Sequence, residues 1–490
     1  MILSWLLLLP LIGMLVILAM PKTSASAIRR VAIAVTLLTL LVSLQLLGGF
    51  QASSGSIQCE EKLLWIPQLQ VFYHLGIDGL SLPMVLLTTL LSFLACLASH
   101  SIKERQKEYY VLYLLLELGM LGTFLSLDLF LFYVFWEIVL VPMYFLIGIW
   151  GGGRREYSAF KFFVYTLAGS LVMLLGILAL YFRAHTFDIT TLAQLGHAFD
   201  LRFQQWLFLA FFLGFAVKVP VFPFHTWLPD AHVDAPTPIS VLLAGVLLKM
   251  GGYGFFRISY PLFPEGAKWF AMAMATFAVI NIVYGAFVAL AQTDLKRLVA
   301  YSSVSHMGFV LLGLSSFTPE GMNGAMLQMV SHGLLTGAMF LLVGVLYDRA
   351  HTRQLDAFGG LGAKLPVYAF MLTFFSLGSL GLPGLSGFVA EFLSFVGTFG
   401  VWRWQTVVSL LGVIGAAAYM LTVLQRVLLG PMNERWKSMP DMTRLELASV
   451  VPLIVCVRWI GVQPAVVLRL QETSIQALIQ HVSFSAFLSH

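Results

Sequence analysis

The 490-residue chain reads as an all-α polytopic membrane protein of about fourteen transmembrane helices, arranged as two inverted five-helix repeats that each contain a broken helix. Three observations predict this fold. The composition is 59% hydrophobic and only 10% charged, where a soluble globule carries about a quarter of its residues as charges. Apolar runs of about 20 residues, the length that crosses a bilayer core, recur along the whole chain. Two of those runs, five spans apart, are interrupted by proline.

The spans read, in order, as residues 2–20, 31–50, 80–99, 109–126, 128–150, 160–182, 205–228, 236–258, 267–291, 295–316, 321–347, 366–400, 405–430 and 447–468. The first lacks a basic leader and a small-residue cleavage site, so it reads as a retained helix rather than a signal peptide. Asp128 separates spans 4 and 5 so closely that their turn must be tight. Lys and Arg collect in the odd-numbered loops, seventeen against six in the even ones. By the positive-inside rule the odd loops face the cytoplasm and both termini face outward, which requires an even number of spans. The net charge of +5 therefore reflects topology rather than nucleic-acid binding. Cys59, Cys96 and Cys456 stand far apart with no Cys-x-x-Cys spacing, so the chain should carry no iron–sulfur cluster or zinc of its own. It contains no P-loop and no Gly-x-Gly-x-x-Gly, so it should bind no nucleotide.

Span 7 contains Lys218-Val-Pro-Val-Phe-Pro-Phe-His225, and span 12 contains Gly378-Ser-Leu-Gly-Leu-Pro-Gly-Leu-Ser-Gly387. Proline removes a backbone donor and clashes with the preceding turn, so both helices should break. Broken helices persist at membrane depth only inside protein or along a wet cavity. Their spacing divides the chain into three leading helices (1–108), a first repeat (109–258), a second of opposite orientation (267–430), and a last helix with its tail (431–490). Ordinary proline kinks would be the plainer explanation of either break alone.

Glu117, Glu137, Lys218, Lys249, His306, His332 and Glu391 stand out as ionisable residues at membrane depth. A charge at the bilayer centre costs at least about 2.5–3.5 kcal/mol, so each needs a partner or a task. Lys218 precedes Pro220 at the end of a half-helix, where unpaired carbonyls favour a cation. Glu137 is the candidate partner. At 4 Å and an effective dielectric of about 20 their attraction would be about 4 kcal/mol. Carrying one charge across 150–200 mV costs roughly 3.5–4.6 kcal/mol, so making and breaking this pair could gate one proton. Each residue has a plainer use: a Glu–Lys pair can hold two helices together, and a buried histidine can be packing. His225 and His232, flanking Asp230 and Asp234 after span 7, read either as metal ligands or as the cytoplasmic mouth of a proton path.

The run Lys218-Val-Pro-Val-Phe-Pro-Phe-His-Thr-Trp-Leu-Pro-Asp-Ala-His232, continued by Ala235-Pro-Thr-Pro-Ile-Ser-Val-Leu-Leu-Ala-Gly-Val-Leu-Leu-Lys249, resembles the antiporter-like subunits of respiratory complex I. Phe135-Trp-Glu137, Thr293-Asp-Leu-Lys-Arg-Leu-Val-Ala-Tyr-Ser-Ser303, Ser305-His-Met-Gly308 and Gly387-Phe-Val-Ala-Glu-Phe392 match as well. A glutamate in broken span 12 is similar to the chain 4, or subunit M, type. Leu-Ala-Gly-Val-Leu-Leu-Lys-Met-Gly-Gly-Tyr-Gly and His351-Thr-Arg look closest to cyanobacterial and plastid members, which would place the chain in a bacterial inner membrane or a thylakoid. The resemblance implies a proton channel in which Glu137 pairs with Lys218, Lys249 is the central relay, His306 and His332 connect, and Glu391 gates the far side. It also implies related membrane-arm subunits as partners. Iron–sulfur clusters, quinone and NAD(P)H or ferredoxin would belong to other subunits. Sodium/proton antiporter complexes and membrane-bound hydrogenases share the repeat and remain alternatives. Arg458, within span 14, departs from a clean lipid-facing helix.

Overall fold

The computed structural model describes residues 1–484; the last six residues of the expected 431–490 unit lie outside the described residues. Among the described residues, twelve continuous helices are long and apolar enough to cross a membrane. They are α1 (Ile2–Ala19), α2 (Ala25–Gly49), α3 (Ser81–Ala98), α4 (Gln106–Leu125), α5 (Leu129–Trp150), α6 (Arg155–Ala184), α9 (Thr237–Leu262), α10 (Pro264–Leu290), α11 (Leu295–Ser316), α12 (Pro319–Ala350), α15 (Arg403–Leu428) and α16 (Arg444–Val462). The other two crossings are the interrupted ones. The first is α7 (Leu201–Lys218) followed, after a break, by α8 (Trp227–Asp234). The second is α13 (Pro366–Ser379) followed by α14 (Ser386–Phe399). Fourteen crossings result, with the breaks where the prolines predict them.

Contacts between loops agree with the topology. On the side assigned to the cytoplasm, Lys22 pairs with Glu108 at 2.9 Å, Arg297 with Asp230 at 3.0 Å, and Arg353 with Asp294 at 3.3 Å. On the outward side Lys62 pairs with Asp188 at 2.6 Å. In each of these pairs both residues sit at the same face.

Freed backbone groups at each break have partners. At the first, Asn281 of α10 accepts from the Phe222 N–H at 2.8 Å and donates to the Pro220 carbonyl at 3.1 Å. Trp227 Nε1 donates to the Val217 carbonyl at 3.0 Å. At the second, Gly381 and Gly384 have φ of +84° and +89°, which side chains with a Cβ rarely adopt. Arg458 Nη1 donates to the Gly384 carbonyl at 3.0 Å. The odd arginine of span 14 thus satisfies a carbonyl of the broken helix.

Two outward elements were not expected. An antiparallel hairpin, β1 (Gln58–Ile66) and β2 (Val71–Ile77), covers the loop after α2. Its segment is too charged to span and too short for a helix pair. A last helix, α17 (Ala465–Phe484), follows α16 and packs across α12 and α3. Gln471 Nε2 donates to the Asn323 carbonyl at 2.8 Å, and the Gly79 N–H donates to Ser474 Oγ at 3.0 Å.

The hairpin is pinned by a charge cluster outside the membrane. His74 is buried between Asp188, 2.9 Å from Nδ1, and Glu60, 2.8 Å from Nε2, while Lys62 also donates to Asp188. Burial alone would raise the Asp188 pKa; hydrogen bonds from His74, Lys62, Thr190 and the Thr191 N–H outweigh it and hold the carboxyl well below its ordinary range. A depressed carboxylate stabilises the fold above its unfolded pKa of about 3.9 and loses that contribution as pH falls towards the folded value. Asp188→Asn should therefore lower the thermal unfolding midpoint at pH 7, and the gap to wild type should shrink below about pH 4. Thermal scans of the purified complex at both pH values would check this.

Candidate functional site

The site lies where α9 meets α11, α12 and α14. Helix α9 carries Lys249, fully buried, between two π-turns, Leu243–Leu247 and Phe255–Ser259. π-turns widen a helix and are common at functional positions. Lys249 Nζ donates to the Ala244 carbonyl at 2.5 Å and lies 2.6 Å from His332 Nδ1. From His332 on α12 to His306 on α11 the ring centroids are 5.6 Å apart. His306 Nδ1 then lies 3.0 Å from Glu391 Oε1, and its Nε2 lies 3.3 Å from the Tyr419 hydroxyl. Glu391 stands on α14 just after the break, its second oxygen against Gly381, where a Cβ would come within 3.3 Å. A small space of about 10 Å³, at the lower limit for a single water, lies among His332, His306, Gln328 and Glu391.

Lys249, His332, His306 and Glu391 thus form a row from α9 to α14 in which each member touches or faces the next. None of the four is more than 6% exposed. The row consists of groups that exchange protons, set among apolar helices with no nucleophile–base pair, so it is suited to proton transfer rather than covalent chemistry.

The expected Glu137–Lys218 pair is not closed. Lys218 is buried with Nζ lacking a hydrogen-bond partner, and Glu137 Oε1 lacks one too. The ammonium instead sits over the ring of Trp136 at 5.3 Å and that of Phe162 at 5.7 Å. The indole preceding Glu137 offers the cation a π face in place of the carboxylate. Glu137 still acts on Lys218 through space. Glu117 stands apart from the row, fully buried on α4, with neither oxygen paired.

His225 and His232 do not converge. His225 lies against Phe222 and Tyr284, with Nε2 3.3 Å from the Tyr284 hydroxyl. His232 stacks on Phe340 at 4.5 Å with neither ring nitrogen paired. Asp230 is taken up by Lys161 at 2.7 Å and by Arg297, and Asp234 accepts from Ser158 at 2.5 Å. Among the described residues no group of three or more His, Cys, Asp or Glu is placed to hold a metal.

Lys296 was counted as a loop cation; it is buried at the start of α11 and donates to the Ala235 carbonyl at 2.5 Å. It borders a cytoplasm-side cavity of about 250 Å³ shared with Asp234, Asp348 and Arg353. His232 lies within electrostatic range of both Lys296 and Lys249. The signal in the sequence was Asp294-Leu-Lys296: a lysine two residues after a helix cap is already inside the helix.

Residues 126–417 match the family model described as NADH:quinone oxidoreductase/Mrp antiporter, TM. The chain belongs to this family. Among curated relatives, NADH-quinone oxidoreductase subunit M of Rhodobacter capsulatus is 46% identical, with 96% of this chain and 95% of the relative covered. Among solved structures, a chain of respiratory complex I from Thermus thermophilus with bound NADH superposes with a TM-score of 0.90 at 32% identity, covering 98% of this chain and 100% of that one. A chain of the Mrp complex from Dietzia sp. DQ12-45-1b shares the fold, with a TM-score of 0.86 at 22% identity over 98% of this chain and 99% of that one. Within the family match lie all the site residues except Glu117.

Proposed function

We propose that this chain is a proton-translocating membrane-arm subunit of a complex I-type oxidoreductase that couples electron transfer from NADH to a quinone with proton movement across a bacterial inner membrane. The observation that carries the reading is the Lys249–His332–His306–Glu391 row. The subunit M name of the Rhodobacter relative and the likeness to a chain of the Thermus complex support the assembly and the donor. Protons enter from the cytoplasmic cavity by Lys296 and His232, reach Lys249, cross to Glu391 and leave outward. Lys218, seen here free of its carboxylate, and Glu137 form the gate on the first unit. Residues 109–258 and 267–430 act as the two inverted repeats, between leading helices 1–108 and the 431–490 end. The chain itself holds no redox centre; iron–sulfur clusters, NADH and quinone belong to its partners, which include related antiporter-like subunits.

A sodium/proton antiporter complex is the second reading, favoured by the shared fold with the Dietzia chain. Purification of the native complex separates them. The first reading predicts co-purifying iron–sulfur proteins, NADH-driven quinone reduction and proton uptake unchanged without sodium. Redox-inert partners with sodium-dependent flux would overturn it.

A further inference from the structure

Eight residues beyond Lys249 on α9, about 12 Å further outward along the helix, Arg257 is buried to 8% exposure. It lies inside the helix, in the second π-turn. Its Nη2 donates to Asp78 Oδ1, which also accepts from the Leu80 N–H at 3.0 Å and the Ser81 N–H at 3.1 Å. Its Nε donates to the Tyr253 hydroxyl at 2.9 Å, and that hydroxyl donates to the Phe124 carbonyl at 2.9 Å. A buried ion pair adds little net stability compared with apolar side chains of the same volume, so cementing helices is a weak reason to keep it.

Immediately outward of the pair is an open cavity of about 310 Å³, bordered by Gly55, Thr190, Ser474 and His481 as well as by Asp78 and Arg257. These bordering segments belong to outward loops and to α17, so the cavity is on the side that receives protons. Between it and Lys249 the one titratable side chain on α9 is Tyr253. That is a short circuit in waiting. A proton on Lys249 could drop outward without crossing to Glu391, and an established gradient could drive protons back onto Lys249 by the same way.

We propose that Arg257 is a fixed cationic plug that closes this route, an inference that rests on Lys249 being the relay. A guanidinium keeps its charge at every pH the protein meets, so it cannot pass a proton on as Lys or His can. In a narrow passage its field repels an approaching hydronium, as cationic constrictions do in proton-excluding pores. Asp78 offsets the cost of burying the charge, and its Oδ1 accepts from the guanidinium and from the Leu80 and Ser81 N–H groups. Tyr253 fixes the guanidinium plane. Arg257 is a positioning and insulating residue, not a carrier.

The test uses the whole complex in proteoliposomes with its quinone site blocked, so that only passive flux remains, and follows the decay of an imposed pH gradient. Wild type should hold the gradient. Arg257→Gln should raise proton conductance at least tenfold, and adding Lys249→Met should return it to the wild-type level, because the leak runs through Lys249. If Arg257→Gln does not assemble, Asp78→Asn/Arg257→Gln keeps a hydrogen bond between neutral partners and carries the same prediction. An assembled variant that stays tight overturns the plug, as does a leak that survives Lys249→Met. Neither result touches the proton path itself, which falls separately if Lys249→Met alone leaves active pumping unchanged.

Discussion

Lys249→Met should leave the complex assembled and cut its proton translocation by at least tenfold. Methionine fills the same narrow space, and removing a buried ammonium spares its desolvation cost, so the fold should not suffer. What disappears is the donor 2.6 Å from His332 Nδ1. A hydrogen bond to a charged group contributes about 1.5–3 kcal/mol, which corresponds to roughly ten- to more than a hundredfold in rate at about 1.4 kcal/mol per decade. That range is a floor, since the variant also lacks a carrier at this position. Acidification by proteoliposomes, normalised to the amount of assembled complex, measures it. Unchanged acidification would mean that the lysine merely fills its pocket.

The second large effect is expected at Glu391. Glu391→Gln keeps the shape of the side chain and an oxygen able to accept from His306, but it can no longer bind and release a proton. Quinone reduction should continue with proton movement reduced by a similar factor, while Glu391→Asp, which retains the titrating group one carbon shorter, should recover part of it. The pair of variants separates proton transfer from packing: a structural role predicts that Gln, the closer match in shape, is the milder change.

The central row was legible in the sequence because it breaks a rule. Lys249, His306, His332 and Glu391 stand inside apolar runs, and the cost of burial makes such residues conspicuous without any knowledge of their neighbours. Their order in space was not legible, since it depends on how α9, α11, α12 and α14 pack. The broken helices were legible from Pro220, Pro223 and Pro383. The groups that make those breaks tolerable were not: Asn281 and Arg458 look like stray polar residues until the positions of the freed Pro220 and Gly384 carbonyls are known. Arg257 and Lys296 fall at the edges of spans 236–258 and 295–316, where a cation is expected to reach the interface, yet both are buried. The open Glu137–Lys218 pair turns on where one indole ring lies, a detail of side-chain packing that spacing does not carry. The hairpin was missed because its charges excluded a span and nothing prompted a search for strands between helices.

The account depends on the four buried residues acting as one conductor. The most direct measurement is the number of protons moved per quinone reduced, taken in proteoliposomes for Lys249→Met, His332→Leu, His306→Leu and Glu391→Gln and for their pairwise combinations. Members of a single wire are non-additive, so each single variant should show the same lowered ratio and no pair should lower it further. A ratio equal to wild type in any assembled single variant, or losses that add from one variant to the next, would contradict the account.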